Sequence, residues 1–158
     1  MQHIERSPSE IIGSILKIQY AAWWMLSSFP ISNSYPISET SIQFKPGYDW
    51  KNLYCTDGSM RLKCDKQNSV QGDYYKIILT GFNPDDTETL DEQFAELTGQ
   101  RLVFKVQLAS GRWKVVGSPA FPLEMDLNAD SGDKPDDLPG RSLRFEGLSI
   151  HPPRFLTI

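Results

Sequence analysis

The chain has 158 residues, 39% hydrophobic and 23% charged, which is typical of one soluble globular domain with a two-layer core. Its formal net charge is −4, and the basic residues are scattered singly among acidic ones, which excludes nucleic-acid binding through a basic face. The most apolar stretch, residues 11–29, contains Lys17 and lacks a clean cleavage site, which argues against a membrane span or a signal peptide.

The N-terminal part of the chain leaves one choice of secondary structure open. Residues 1–10 are polar and are predicted to form a flexible tail, followed by one β-rich domain over residues 11–158. Apolar residues alternate as in a strand over residues 16–24, but a helical stripe also runs over residues 11–25. The pattern slightly favours the strand. In a strand, Trp23 and Trp24 point to opposite faces, so one of them lies outside the core and is a candidate partner-contact residue.

The two cysteines lie on the two strands of a predicted hairpin. Residues 27–40 are rich in Ser and Pro and are predicted to be a loop, and the next turn is Asp57-Gly58. This turn places Cys55 opposite Met60 and leaves Cys64 roughly 13 Å from Cys55 along the ladder, at about 3.3 Å per residue. A disulfide requires Cα atoms within about 7 Å. We therefore expect two free, largely buried thiols and a reducing, cytoplasmic compartment.

One short helix is predicted over residues 89–98, after an apolar strand at 74–82. Thr89 and Glu92 have the spacing of a capping box, and apolar residues recur at positions 90, 94 and 97. Gly99 follows where a left-handed residue commonly ends a helix.

The sharpest β pattern covers residues 102–117. Two alternating runs flank Ser110-Gly111, which predicts a two-residue hairpin turn. In that register Leu108 lies opposite Trp113, and Val106 lies opposite Val115, all on one apolar face. The lysines and the glutamine of the hairpin are then expected on the opposite, polar face.

The C-terminal part completes the predicted fold. Residues 121–127 alternate as an amphipathic strand whose early Pro122 suggests a sheet edge, and a last strand follows at 142–150. The predicted fold class is mainly β. It is an antiparallel β-sandwich or a partly open barrel of about seven to nine strands with the one short helix.

The acidic loop between these strands is a candidate calcium site. Its oxygen-bearing residues occupy positions 1, 3, 5 and 12 of an EF-hand-type loop: Asp126, Asn128, Asp130 and Asp137. Ser131 stands where such loops have glycine, and no helical pattern flanks the loop. A solvated acidic connection without metal is the interpretation that the sequence favours.

No other group of residues predicts catalysis. His3 lies in the tail and His151 precedes two prolines, while both cysteines lie on the predicted apolar face, where a thiol is inert. The paired acids occupy turns or the helix start, where the backbone already stabilises them. The sequence therefore predicts a protein that is not an enzyme and needs no cofactor.

Several segments resemble a known group of proteins: residues 114–119 (KVVGSP), 122–125 (PLEM), 143–147 (LRFEG) and, more distantly, 46–50 (PGYDW). The chain resembles small β-rich proteins encoded in prophage-like gene clusters of gut bacteria and regarded as virion or tail components. The resemblance covers the C-terminal third to half of the chain. It implies a structural role within a virion-like particle and supplies no active-site residue.

Two functions are compatible with these features. The first is a non-enzymatic structural or assembly protein that forms a homo-oligomer, or docks another structural protein, through its sheet edges. The second is a carbohydrate- or peptide-binding β-module, with calcium in the 126–137 loop as a candidate ligand. The candidate groove-lining aromatics are Trp23, Trp24, Tyr48, Trp50, Tyr54, Tyr74 and Tyr75.

Overall fold

The computed structural model describes residues 15–30, 37–84, 88–126 and 141–157. Within these ranges the chain is mainly β, as predicted, with one α-helix, α1 (Glu88–Leu97). The strands are β1 (Ile15–Ala22), β2 (Leu26–Ser28), β3 (Ile37–Ser38), β4 (Gln43–Phe44), β5 (Lys51–Leu53), β6 (Arg61–Ser69), β7 (Gly72–Asn83), β8 (Leu102–Leu108), β9 (Trp113–Val116), β10 (Glu124–Met125), β11 (Arg141–Ser149) and β12 (Arg154–Thr157). They exceed the predicted number because several strands have only two to four residues.

The strands form a β-sandwich-like arrangement, and the described strands do not close into a barrel. A six-stranded sheet has the order β3-β12-β9-β8-β1-β5, and a four-stranded sheet has the order β10-β11-β7-β6. Strands β2 and β4 pair separately. All the ladders are antiparallel except that between β12 and β3.

The main apolar cluster, here called the inner core, contains residues of both large sheets. Ile18 and Phe104 come from the six-stranded sheet, and Leu79 and Phe145 come from the four-stranded one. The rings of Phe104 and Phe145 lie 4.7 Å apart between centroids. Helix α1 contributes Phe94, as its apolar spacing predicts.

A second cluster, here called the outer core, involves other residues of the six-stranded sheet. Val103 and Val115 belong to this cluster together with Leu26, Ile42 and Leu156. Consecutive residues of β8 are therefore buried on opposite faces of the sheet, and its first five residues are all buried. Short strands and turns between residues 26 and 50 contribute to the cover of this outer face.

The predicted register of the β8–β9 hairpin is wrong by one residue. Trp113 pairs with Gln107, and Lys114 pairs with Val106. The loop has three residues, and Gly111 closes it at φ +85°, the conformation that a type I turn with a bulge requires. Trp113 consequently packs against the outer core and shares a face with Lys105.

The predicted hairpin at Asp57-Gly58 is also wrong, although the turn itself is present. The Ser59 N–H donates to the Thr56 carbonyl over 3.0 Å, but β5 pairs with β1 and β6 pairs with β7. The turn carries the chain from one sheet to the other. Both cysteines are free as predicted, but only Cys55 is buried; Cys64 is exposed, because β6 is an edge strand.

The remaining predictions are confirmed in part. The open choice at residues 15–25 is settled as strand β1, which ends at Ala22. Helix α1 begins at Glu88, so Thr89 lies inside the helix and is not its N-cap, whereas Gly99 has the expected left-handed φ of +79°. The edge strand predicted at 121–127 is reduced to β10 but does lie at a sheet edge. Residues 1–10, the predicted tail, lie outside the described residues.

Candidate functional site

A cleft of about 560 Å³ lies on the surface beside the outer core. Its walls are drawn from residues 23–30, 118–121 and 150–154, together with Lys45. This volume falls in the range of roughly 300–1,000 Å³ that ligand sites commonly have. We call it the tryptophan cleft, because Trp23 and Trp24 form part of its lining.

The first wall follows from the way β1 ends. Residues Trp23–Met25 form a 3-10 turn, which is fixed by the bond from the Trp23 N–H to the Arg101 carbonyl at 2.9 Å. The turn interrupts the strand alternation, so Trp23 and Trp24 do not divide between core and solvent. Trp23 is 46% exposed and Trp24 is 38% exposed, and both line the cleft. The sequence predicted that one of the two tryptophans lies outside the core, whereas both are partly exposed, and their role in partner contact stays a prediction.

The Trp24 ring is held by its neighbours. It meets Tyr48 edge to face, with centroids 5.2 Å apart, and its Nε1–H points to Gln100 Oε1 over 3.4 Å. These contacts restrict the rotation of the indole. Binding to a side chain that is already restricted costs less conformational entropy than binding to a mobile side chain, which the complex would first have to order.

A second wall consists of a tight turn at residues 118–121. The backbone N–H groups of Ser118 and Phe121 each donate to the other's carbonyl over 3.1 Å. The Phe121 N–H also donates to Ser118 Oγ at 3.1 Å. Gly117 precedes the turn at φ +80°, where a Cβ would lie 2.6 Å from Leu123 Cδ1. This wall is therefore closely packed and has a fixed shape.

The third wall brings basic groups to the cleft. Arg154, which is 4% exposed, begins β12 and pairs with Val115, while the backbone N–H of His151 is held by Ser149 Oγ at 3.1 Å. Burial, and then the nearby Arg154 guanidinium, lower the pKa of His151. His151 is therefore mainly uncharged at neutral pH. Among the described residues that line the cleft, three are basic or imidazole side chains and none is a carboxylate.

The predicted calcium site is only partly described. Asp126 lies near Arg144, with 3.6 Å between Oδ2 and Nε, and its backbone N–H donates to the Arg144 carbonyl. Asn128, Asp130 and Asp137 lie outside the described residues. The described part of the chain contains no group of three or more side chains arranged to hold a metal ion. Calcium binding by this loop stays a prediction.

The other predicted aromatic residues are dispersed. Tyr48 supports Trp24, whereas Trp50 packs in the outer core, with its ring 5.3 Å from that of Phe44. Tyr54 is exposed and is not part of the cleft. Sequence reasoning missed Phe121, Lys45 and Arg154 as site residues, because pairings between segments distant in the chain bring them together.

The sheet edges, predicted as docking surfaces, are short or charged. Strands β3, β5 and β10 have two or three residues each. The longer edge strand β6 has Lys63 3.5 Å from Asp65 and Lys66 3.4 Å from Asp73 of β7. Charged side chains on an edge strand oppose its pairing with another chain.

Comparison with known proteins gave no match to a family model, to a curated protein or to a solved structure. In the described part of the chain, no helix has the length and hydropathy needed to cross a bilayer. The site is therefore interpreted from its own geometry and charge.

Proposed function

We propose that this protein is a non-enzymatic docking module that holds a partner protein in the tryptophan cleft. The observation that carries the proposal is the pair of exposed indoles, Trp23 and Trp24, on a turn fixed to Arg101 beside a cleft of about 560 Å³. Partly exposed tryptophans next to a pocket are the side chains that most often dominate binding energy at protein interfaces.

Assembly is the biological role that best fits such a module. The partner is a second copy of this chain or another structural protein, and a virion or tail particle formed in the cytoplasm is the setting suggested by the resemblance of residues 114–147. Because the described edges are short or charged, we assign the main contact to the cleft and not to strand pairing.

The proposal is tested with a random peptide display library panned against the purified protein. We expect selected peptides to bind the native protein and to lose about tenfold or more in affinity with Trp24→Ala, since a buried tryptophan anchor contributes at least that much. The matched control is Tyr54→Ala, which removes an exposed aromatic ring outside the cleft. The proposal would be overturned if the selected peptides bind Trp24→Ala as tightly as they bind Tyr54→Ala and the native protein.

Carbohydrate binding is the second candidate, because exposed tryptophans also stack on sugar rings. A neutral glycan array probed with the native protein and with Trp24→Ala separates the two: glycan binding that depends on Trp24, without selected peptides, favours the sugar. The calcium-dependent form predicts a higher melting temperature in millimolar calcium, since a ligand bound only by the native state stabilises it. An unchanged melting temperature contradicts that form.

A further inference from the structure

Two cationic side chains lie against one aromatic ring outside the tryptophan cleft. Arg112 Cζ is 3.9 Å and Lys114 Nζ is 4.6 Å from the ring centroid of Phe155. None of these three residues lines the cleft. We propose that they form a binding site, here called the Phe155 site, for a phosphate dianion, either free or as the monoester group of a small molecule. The proposal is independent of the docking function, because it concerns other residues.

Strand pairing brings the three side chains together on one face of a sheet. Lys114 of β9 pairs with Phe155 of β12 on one side and with Val106 of β8 on the other. Directly paired residues share a face of an antiparallel sheet, and Val106 belongs to the inner core. Arg112 lies two residues before Lys114 and reaches the same ring. The Phe155 site therefore lies on the inner face of the six-stranded sheet, where Lys114 and Phe155 are only half-buried and Arg112 is exposed.

The positive charge of the Phe155 site is not balanced by a carboxylate. Among the residues that the structure describes, no ion pair includes Arg112 or Lys114. The Phe155 ring attracts and orients both cations, but it carries no net charge. Burial lowers the pKa of Lys114, the Cys64 thiol partly opposes this, and Arg112 lowers it further. The fold thus holds two like charges close together, and an anion that contacts both reduces their repulsion.

The two cationic groups suit a phosphate better than a carboxylate. A guanidinium presents its N–H donors in a planar fork that matches two phosphate oxygens, and an ammonium adds a point charge beside a third oxygen. A phosphate monoester has a charge of about −1.5 to −2 at pH 7 and three acceptor oxygens, so it balances both cations. A carboxylate carries a single negative charge and balances only one of them.

Cys64 provides a local reporter of anion binding. It pairs with Ile77 of the inner core, so its side chain lies on the face of the four-stranded sheet that meets the six-stranded sheet. Burial and Asp65 raise the pKa of Cys64, and the charge of Lys114 opposes them in part. A dianion bound at Lys114 offsets that charge and raises the pKa of the thiol further. The fraction of thiolate falls, so neutral iodoacetamide reacts with Cys64 more slowly.

The test compares the rate of Cys64 alkylation in sodium phosphate with the rate in sodium chloride of equal ionic strength, at about pH 8. We expect saturating phosphate to slow the reaction by about threefold, the effect of roughly half a pKa unit. Arg112→Gln and Lys114→Gln are each expected to raise the half-saturating phosphate concentration by about tenfold. The matched control is Lys51→Gln, which removes one positive charge from an exposed position of β5 in the same sheet and should leave that concentration unchanged.

Three results would overturn the proposal. The first is an equal alkylation rate in phosphate and chloride, and the second is a phosphate effect of the same strength in Arg112→Gln, Lys114→Gln and Lys51→Gln. The third is an equal effect of sodium acetate, which would show that the site does not select a dianion. Methyl phosphate identifies the source of the group: half-saturation at a lower concentration than inorganic phosphate assigns the site to a monoester, and the reverse order assigns it to the free ion. Either order supports the site.

Discussion

The two faces of the six-stranded sheet are covered in different ways. The inner face meets a second regular sheet through aliphatic and aromatic side chains such as Phe104 and Phe145. The outer face is covered by short strands and turns, and a charge is buried in it: Lys105, 7% exposed, lies 2.8 Å from Glu39 Oε1. Leu26 belongs both to the outer core and to the tryptophan cleft, so the irregular cover contributes one wall of the candidate site.

The surroundings of Lys105 show how the outer face accommodates a charge. Its Nζ lies 4.6 Å from the ring centroid of Trp113 and 5.9 Å from that of Trp50, in addition to the Glu39 contact. An ammonium group loses hydration on burial, and a carboxylate and two aromatic faces partly replace it. Dry packing stabilises the inner face, whereas the outer face depends on a specific set of polar contacts.

The largest expected effect is the loss of an inner-core ring. Phe104→Ala is predicted to lower the free energy of unfolding by about 3–5 kcal/mol, because the side chain is fully buried between two sheets and leaves a cavity. Urea unfolding measures this loss. The control is Val70→Ala at a fully exposed turn, which is expected to change the free energy of unfolding by no more than about 0.5 kcal/mol. A loss for Phe104→Ala no greater than that of the control contradicts the assignment of the inner core.

Replacing either residue of the ion pair on the outer face is predicted to lower the stability by a different amount. Glu39→Ala leaves the buried Lys105 ammonium without its carboxylate and is expected to cost about 3 kcal/mol, the lower end for a broken buried pair. Lys105→Met leaves a Glu39 side chain that is 35% exposed and can be rehydrated, so we expect a loss of about 1 kcal/mol or less. Equal losses in urea unfolding would show that the lysine is not the buried partner.

The reactivity of the two cysteines distinguishes the inner core from an exposed sheet edge. Burial raises the pKa of Cys55 to about 11, and it is 4% exposed, so it should not react with iodoacetamide in the native protein. Cys64 is exposed; partial burial of its thiol and the nearby Asp65 raise its pKa, and Lys114 opposes them only in part, so it should react slowly. Mass spectrometry should find one alkylated thiol before unfolding and two in urea. Labelling of Cys55 in the native protein would contradict its burial in the inner core.

The smallest expected effect concerns His151. Its pKa lies below the ordinary value in the folded state, so the unfolded chain takes up the proton first as the pH falls. Stability is therefore unaffected above about pH 6.5 and decreases as the pH falls from there through the lower folded pKa. Because His151 is only half-buried, we expect about 0.5 kcal/mol or less, absent in His151→Gln. An equal pH dependence of stability in that variant would contradict His151 as its source.

The difference between the two faces also explains what the sequence could predict. The strands β7 and β11 and the mainly β fold follow from alternation and turn residues. The register of β8 could not be fixed, because Val103 and Phe104 are both fully buried and alternation no longer separates two faces. The same pattern placed Lys105 on the polar face of the hairpin, whereas it is buried against Trp113 and Trp50 of the outer core.

Local turn signals have a similar limit. Asp57-Gly58 forms a turn as predicted, but the turn residues do not determine whether the flanking strands pair or enter different sheets. For the candidate site, the sequence could predict that one of Trp23 and Trp24 lies outside the inner core, because adjacent residues of a strand point to opposite faces. Lys45 and Arg154 were not, because their positions depend on the short strands β4 and β12.

The four tryptophans allow the most direct test of the docking function. The indole Nε1–H signals of Trp23 and Trp24 report on the cleft, and those of Trp50 and Trp113 report on the outer core. We predict that titration with a display-selected peptide shifts the NMR signals of Trp23 and Trp24 and leaves those of Trp50 and Trp113 in place. Shifts confined to Trp50 and Trp113, or no indole shift at saturation, would contradict docking in the tryptophan cleft.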